Sequence, residues 1–406
     1  MKRKIIEVAV LGFGVVGSGT VEVIDKNAQM LTRSTGQDVR VKYILDVRDF
    51  SGSHYKDLFV SDFETIVNDP DVSVVVEVIG GVGAALEFTR RSLEAGKSVV
   101  TSNKELVATH GFELLRIAGE KGVNYLFEAS VGGGIPIVRP LTQCLAANKI
   151  SELYGILNGT TNYILSEMEK NGAGFSEALK DAQKKGYAEA DPTADIEGHD
   201  ACRKICILSS IVFGQHVYPE LVPTEGIANV TTEDIQFAAD LGCRIKLLCR
   251  VRAMGNMVCA YVAPHLIRKE HLLAGLDGVL NGVLIRGNVV GDVVLCGAGA
   301  GKLPTASAVV ADVIDAVKHL NTRKRISWED GGADMMSDPM QLETAWYIRT
   351  DATRSKIERE FGQVIFAGQN DSMTAFRTAV MNGKKIMELL SRGIEARSLF
   401  RVLGDH

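Results

Sequence analysis

The chain has 406 residues, 46% of them hydrophobic and 23% charged, with a net charge of −5. Two or three globular domains, each with a real core, fit that length and composition. With no long basic block, the chain lacks the electrostatic footprint of a nucleic-acid or anionic-membrane binder, and no uninterrupted apolar run reaches spanning length. The start, MKRKIIEVAV, carries Glu7 within its apolar run and leads into a glycine-rich turn. It reads as a first strand and not as a signal peptide. Seven scattered cysteines, an odd number in a large chain, read as reduced core thiols in a cytoplasmic protein. His199, Cys202 and Cys206 have no CxxC pair or second ligand cluster beside them, so buried thiols are a better reading than a metal trio.

Residues 5–11 are a β-branched run that enters Gly12-Phe13-Gly14-Val15-Val16-Gly17. This G-x-G-x-x-G follows a strand, opens a helix to about Leu31 and lies in a βαβ unit of the right size, the context in which it signals dinucleotide binding. Gly12 permits the tight turn, Gly14 the approach of the pyrophosphate, and Gly17 close helix–strand packing. A second strand over residues 39–47 ends in Asp46-Val47-Arg48. Asp46 suits a ribose hydroxyl and NAD, whereas Arg48 suits a 2′-phosphate and NADP, so both cofactors stay open. The run VSVVVEVI over residues 72–79 is nearly all apolar, as a strand buried on both faces requires. Residues 84–95 read as a helix, 97–101 as a strand, 105–121 as a helix and 123–129 as a strand. This alternation predicts a parallel sheet with helical crossovers. Thr101-Ser102-Asn103-Lys104 then lies at a strand's carboxyl end, where Lys104 either faces nicotinamide and substrate or is a solvated helix-start lysine.

Glu128 to Pro136, EASVGGGIP, is either a cation-binding loop or a tight interdomain turn. Beyond it, helices are expected over 137–147, 162–171, 176–185 and 198–213, with strands over 152–157, 246–251, 257–262, 282–290 and 292–296. Asn158-Gly159-Thr160-Thr161-Asn162 suits a small polar ligand, or capping of a helix by Thr160. In GYAEADPTADIEGHDACRKICI, Asp200 and Lys204 stand four apart where an amphipathic helix begins. That spacing stacks a carboxylate beside an amine, an arrangement that holds a proton-transfer lysine. GAGAG over residues 297–301 lacks the phosphate-loop spacing and reads as a turn back to the first domain. After a polar linker, residues 345–406 have the element order βαββαβ.

The expected architecture is therefore α/β. A Rossmann-type parallel sheet spans residues 1–133, completed by about 302–325. An α+β catalytic and dimerisation domain spans 134–301. A linker over 326–344 leads to a small ferredoxin-like module over 345–406.

In this order the segments GFGVVG, TSNKE, EASVGGGIPI, GILNGTTNYIL, GYAEADPTADIEGHDACRK and GAGAGKLPTA resemble homoserine dehydrogenase, over roughly residues 5–320. The resemblance implies interconversion of L-homoserine and L-aspartate 4-semialdehyde with NADP or NAD, in threonine and methionine biosynthesis. It makes Lys204 the proton donor and acceptor, with Asp200 binding the substrate amino group or positioning Lys204. Lys104 would contact substrate and cofactor. Glu189, with Asp195, Asp200, Asn158 and Thr160, forms the implied substrate set. The implied cofactor set is Gly12, Phe13, Gly14, Val15, Val16, Gly17, Arg48, Ser102, Lys104 and Gly301. Glu128 with the carbonyls of Val131, Gly133 and Ile135 resembles the family's sodium site. The terminal module resembles an ACT domain in element order but has Asp351-Ala352-Thr353-Arg354 in place of the usual Asp-x-Pro-Gly turn, and His199 stands where an apolar residue is usual. A homodimer or homotetramer is expected. Two other readings fit the residues less well: another NAD(P)-dependent amino- or hydroxy-acid dehydrogenase, and a non-enzymatic dinucleotide sensor.

Overall fold

The structure is a computed structural model that describes residues 4–369 and 373–404. It divides into two compact units, one of residues 1–147, 206–219 and 297–331, the other of residues 148–205, 220–296 and 332–406.

In the first unit, β1 (Ile5–Leu11), α1 (Val15–Lys26), α2 (Ala28–Thr35), β2 (Asp38–Leu45), β3 (Phe59–Val60), α3 (Glu64–Val67), β4 (Val72–Glu77), α4 (Gly83–Glu94), β5 (Ser98–Thr101), α5 (Lys104–Lys121) and β6 (Tyr125–Leu126) follow one another. The strands form a parallel sheet in the order β3-β2-β1-β4-β5-β6, so the winding reverses between β1 and β4. Val8, Val10, Val74, Val76 and Val100 fill its core, which explains the unbroken apolar run in β4. Gly12 has φ +96° and its missing Cβ would lie 2.9 Å from the Val78 carbonyl oxygen, while a Cβ on Gly17 would lie 1.9 Å from the Gly12 carbonyl oxygen. Neither position accepts a side chain.

Residues 134–147, expected in the second domain, group with this unit. The reason is local: the buried Glu128 carboxylate accepts the backbone N–H groups of Ile137, Val138 and Arg139 at 2.6, 2.8 and 2.7 Å. The helix expected over 137–147 is present in shortened form: residues 138–139 are helical and Pro140–Cys144 continue as a π-turn, closed by Leu145 N–H donating to the Pro140 carbonyl at 2.8 Å. Pro140 stands in the first turn, where its missing N–H costs no helical bond.

The second unit holds β7 (Ile150–Ile156), α6 (Gly159–Asn171), α7 (Phe175–Lys184), α8 (Thr193–Ile196), the start of α9 (His199–Phe213), α10 (Thr232–Asp240), β8 (Cys243–Met254), β9 (Met257–Arg268), β10 (Leu280–Gly287) and nearly all of β11 (Gly291–Ala298). The next helix, α11 (Lys302–Lys318), belongs to the first unit, where Val309, Val313 and Ala316 are in the core. The chain then adds β12 (Glu343–Thr350), α12 (Arg354–Phe361), β13 (Ile365–Gln369), β14 (Thr374–Arg377), β15 (Met381–Asn382), α13 (Gly383–Leu390) and β16 (Ala396–Val402) to the second unit.

The expected βαββαβ order is present, with β15 as one extra short strand. Its strands do not stand apart: the sheet runs β11-β10-β7-β8-β9-β16-β12-β14-β13. The join is a parallel pairing of Arg401 with His265 and Val402 with Leu266. Trp346, Ile348, Ile357, Phe376 and Ile386 make a separate hydrophobic cluster beneath the terminal strands. No helix among the described residues is long and apolar enough to cross a membrane.

Candidate active site

At its N-terminal end, α9 presents the acid–amine pair. Lys204 Nζ donates to Asp200 Oδ2 at 2.8 Å, one turn away, and to the Leu157 carbonyl oxygen at 2.7 Å. Both side chains are buried, at 8% and 6% residue exposure, so little water screens the pair and a charge there acts strongly on its surroundings. Asn158 ties the pair to a second carboxylate. Its Nδ2 donates to Asp200 Oδ2 at 2.9 Å and to Asp195 Oδ1 at 2.7 Å. Burial pushes the Asp195 carboxyl above its usual range, against the hydrogen bond from Asn158, and the neighbouring Asp200 charge adds to the rise.

The cap of α6 is Asn158, not Thr160. Asn158 Oδ1 accepts the Thr161 N–H at 2.8 Å, while the Thr160 hydroxyl donates to the Tyr187 carbonyl at 2.6 Å. Asn158 therefore serves the helix with its oxygen and the two acids with its nitrogen. The Thr160 bond fixes the segment that carries Glu189. Glu189 is itself exposed, and Gln183 Nε2 donates to its backbone carbonyl at 3.1 Å. Thus Asn158, Asp195, Asp200 and Lys204 form one hydrogen-bonded cluster, Thr160 is linked to it through α6, and Glu189 stands on the neighbouring loop.

The predicted nucleotide residues lie in the first unit. Phe13 N–H donates to Asp46 Oδ2 at 2.6 Å. Arg48 grips the same carboxylate through Nε at 2.9 Å and Nη2 at 2.8 Å, and holds it well below the usual carboxylate range. Asp46 and Arg48, opposed as signals in the sequence, are one ion pair. The N–H groups of α1 begin at Gly14 and Val15, where a pyrophosphate is favoured, and a Cβ at Gly14 would meet nothing closer than Arg48 Nη2 at 4.0 Å. Ser102 lies in the turn after β5, and Lys104 opens α5 behind the cap residue Asn103, whose Oδ1 accepts the Leu106 N–H at 3.0 Å. Gly301 precedes α11 with φ +127°.

Glu128, Val131, Gly133 and Ile135 cluster in one turn, but the Glu128 carboxylate is engaged by the three amides already described. Among the described residues, no group of three or more His, Cys, Asp or Glu side chains is placed to hold a metal. Cys202 and Cys206 are buried thiols.

One residue passed over in the sequence is Glu77, at the end of β4. It is fully buried and bonded to Thr101 and to the N–H of Ile79. Its signal was available: a lone acid inside VSVVVEVI.

Known proteins resemble the chain in sequence and in fold. The family model described as "Homoserine dehydrogenase, NAD binding domain" matches residues 12–128, and that described as "Homoserine dehydrogenase" matches residues 136–314. The homoserine dehydrogenase of Neisseria gonorrhoeae is 44% identical over 317 residues, covering 78% of this chain and 73% of that protein. The crystal structure of a homoserine dehydrogenase from Thiobacillus denitrificans is similar with a TM-score of 0.89 at 39% identity, covering 99% of each chain. A hyperthermophilic archaeal homoserine dehydrogenase solved in complex with NADPH is similar with a TM-score of 0.65 at 26% identity, over 77% of this chain and 97% of that one.

Proposed function

The chain belongs to the homoserine dehydrogenase family of oxidoreductases, and from that premise we propose how its own residues carry the reaction. The substrate pair is L-homoserine and L-aspartate 4-semialdehyde, and Lys204 is the general acid and base. The observation that carries this reading is the buried Lys204–Asp200 pair at 2.8 Å, completed by the Leu157 carbonyl. An ammonium has three N–H donors. Two are bonded to Asp200 and Leu157, and the third is the one proposed to meet the substrate oxygen.

The nicotinamide dinucleotide, NADP or NAD, supplies or accepts the hydride. In reduction, negative charge grows on the aldehyde oxygen. Lys204 stabilises that charge and then transfers its proton to the oxygen, forming the hydroxyl. In oxidation, neutral Lys204 takes the hydroxyl proton as the C–H bond breaks. Asp200 holds the lysine in place, and the carboxylates of Glu189, Asp195 and Asp200 bind the substrate ammonium. Asn158 and Thr160 fix the loop that presents them.

In the first unit, Gly12, Phe13, Gly14, Val15, Val16 and Gly17 cradle the pyrophosphate, and Arg48 faces the adenosine ribose. Ser102, Lys104 and Gly301 border the nicotinamide, with Lys104 adding positive field. A sodium ion is assigned to the carbonyls of Val131, Gly133 and Ile135, with Glu128 as the buried negative charge beside them. The working form is a cytoplasmic homodimer or homotetramer in threonine and methionine biosynthesis.

The test is steady-state oxidation of L-homoserine with NAD⁺ and NADP⁺ in parallel, followed at the nicotinamide band, with and without sodium. Turnover of homoserine but not of serine or threonine is expected. Absence of homoserine turnover with both cofactors would refute the substrate assignment.

A further inference from the structure

Glu77 is the last residue of β4, beside the point where the sheet order reverses. In the ladder it faces Leu11, the residue before the glycine-rich turn, on one side and Thr101 on the other. Crevices at such reversals, at the carboxyl ends of strands, are where ligands bind in open α/β sheets. A carboxylate with no solvent exposure is costly to keep there unless hydrogen bonds surround it. Glu77 has them. Oε1 accepts the Ile79 N–H at 2.8 Å, and Oε2 accepts the Thr101 hydroxyl at 2.6 Å.

The bonds continue into both neighbouring loops. Thr101 Oγ1 accepts the Asn103 N–H at 2.9 Å, and Asn103 Nδ2 donates to the Gly81 carbonyl at 2.6 Å. Asn103 Oδ1 meanwhile caps α5 through the Leu106 N–H. One carboxylate thus ties together residues 79–81, which follow β4 with Gly80 and Gly81 at positive φ, and residues 101–104, which end in Lys104. The Val78 carbonyl against Gly12 connects the first of these loops to the glycine-rich turn.

We propose that Glu77 is a positioning residue for the dehydrogenase reaction: through Thr101 and Asn103 it fixes the Ser102–Lys104 turn, and with it the place of the Lys104 ammonium. This rests on the reading that Lys104 acts in the reaction. A glutamine at position 77 keeps the shape of the side chain but turns one acceptor into a donor, and it faces the N–H or hydroxyl that the carboxylate received. The Ile79 N–H or the Thr101 hydroxyl hydrogen then loses its acceptor, and where a loop shifts in response, a displacement on the order of 1 Å at a reacting group costs about 100-fold in rate.

The experiment measures kcat and KM of homoserine oxidation for Glu77→Gln, Thr101→Val and Lys104→Met, and for Glu77→Gln combined with Lys104→Met, with melting temperature recorded for each. Thr101→Val removes the hydroxyl that donates to Glu77 and accepts the Asn103 N–H, leaves the strand backbone in place, and keeps the test readable if Glu77→Gln folds poorly. Expected are a fall in kcat of about 10- to 100-fold for Glu77→Gln, a smaller fall for Thr101→Val, and a double variant no slower than Lys104→Met alone within about 2-fold. Wild-type kcat in both Glu77→Gln and Thr101→Val overturns the proposal, as do multiplied losses in the double variant. Wild-type kcat in Lys104→Met overturns the lysine's role itself, and that result is distinct from multiplied losses.

Discussion

Asn158 Nδ2 lies 2.9 Å from one oxygen of Asp200 and, through its other hydrogen, 2.7 Å from Asp195. A single side-chain amide therefore separates two carboxylates that would otherwise repel each other, while its oxygen caps α6. Removing the amide exposes that repulsion. Asn158→Ala is expected to raise the homoserine KM at least about 10-fold, as loss of buried hydrogen bonds to charged groups implies. It should also cost about 1 kcal/mol through the lost cap. Steady-state kinetics and urea unfolding on the same preparation measure the two effects separately. An unchanged KM would show that the amide serves the helix alone.

Lys204→Met should reduce kcat by about 100-fold or more, the usual contribution of a general acid–base group. The dinucleotide should still bind, because the glycine-rich turn is untouched. Asp200→Asn keeps a hydrogen-bond partner for the ammonium but removes its counter-charge, and should also raise the homoserine KM. Fluorescence titration with NADPH beside the kinetic assay checks both parts. A Lys204→Met enzyme turning over at the wild-type rate would remove the lysine from the chemistry.

Cofactor choice should respond to the Asp46–Arg48 pair. With Asp46 gripped at two points by Arg48, the arginine remains half-exposed, at 59% side-chain exposure, and is free to turn to a 2′-phosphate. Arg48→Ala is expected to raise the NADP⁺ KM about 10-fold, a charge-assisted contact being worth roughly 1.5 kcal/mol or more, and to leave the NAD⁺ KM within about 2-fold. Parallel titration with both cofactors decides this. Equal changes in the two would mean that Arg48 acts only by holding Asp46.

Much of this was legible in the sequence because the relevant signals are local. A G-x-G-x-x-G after a β-branched run, and an acid four residues before a lysine at a helix start, depend on chain neighbours, and the structure has both. Less legible were features set by distant partners. NGTTN leaves Thr160 open between a ligand contact and a helix cap, because capping propensity cannot tell which of several polar residues the tertiary contacts will choose, and the cap is Asn158. The helix expected over 137–147 is shorter, ending as a π-turn at Cys144, and its first N–H groups, which no helix pairs internally, are capped by Glu128, nine to eleven residues earlier. The C-terminal module was read as separate since nothing in its sequence announces that β16 pairs with β9. Helix α10 is hard to read from the sequence although Thr231 and Asp234 form a capping box, because that signal lies outside any strongly periodic run.

The sheet of the second unit should give the protein a pH-sensitive term in its stability. His265 is fully buried. Its Nδ1–H donates to the Ala263 carbonyl at 2.9 Å, and Nε2 accepts the Tyr261 hydroxyl at 3.1 Å. Burial, followed by the charge of Arg401, holds its pKa down to about 3 from 6.5. As pH falls below about 6.5, the unfolded chain takes up a proton that the native protein refuses. Stability is therefore complete above that pH and declines below it, by at most about 1.4 kcal/mol per pH unit from this group. His265→Gln should flatten the decline between pH 6.5 and 5, a range above most carboxylate titrations. Urea unfolding of both proteins at pH 7, 6 and 5 measures it, and identical slopes would show that another group is responsible.

The last prediction concerns what fixes the terminal strands. Asp234, buried in the first turn of α10, accepts from Arg349 Nε at 2.7 Å, the Tyr347 hydroxyl at 2.9 Å and the Ser398 hydroxyl at 2.9 Å, and it closes the capping box with Thr231. The first two partners lie on β12 and the third on β16. Removing Arg349 leaves a buried carboxylate without its counter-charge, which costs about 3–5 kcal/mol. Thr231→Ala removes the cap and one hydrogen bond to Asp234 Oδ2 but leaves the Arg349 counter-charge in place, and should cost about 1–2 kcal/mol. If the terminal strands unfolded as an independent module, Arg349→Met would give two separate urea transitions. Because β16 shares a sheet with β9, one transition shifted to lower urea is expected, followed by tryptophan fluorescence in a Trp328→Phe background, which leaves Trp346 on β12 as the reporter, and by circular dichroism of the whole chain.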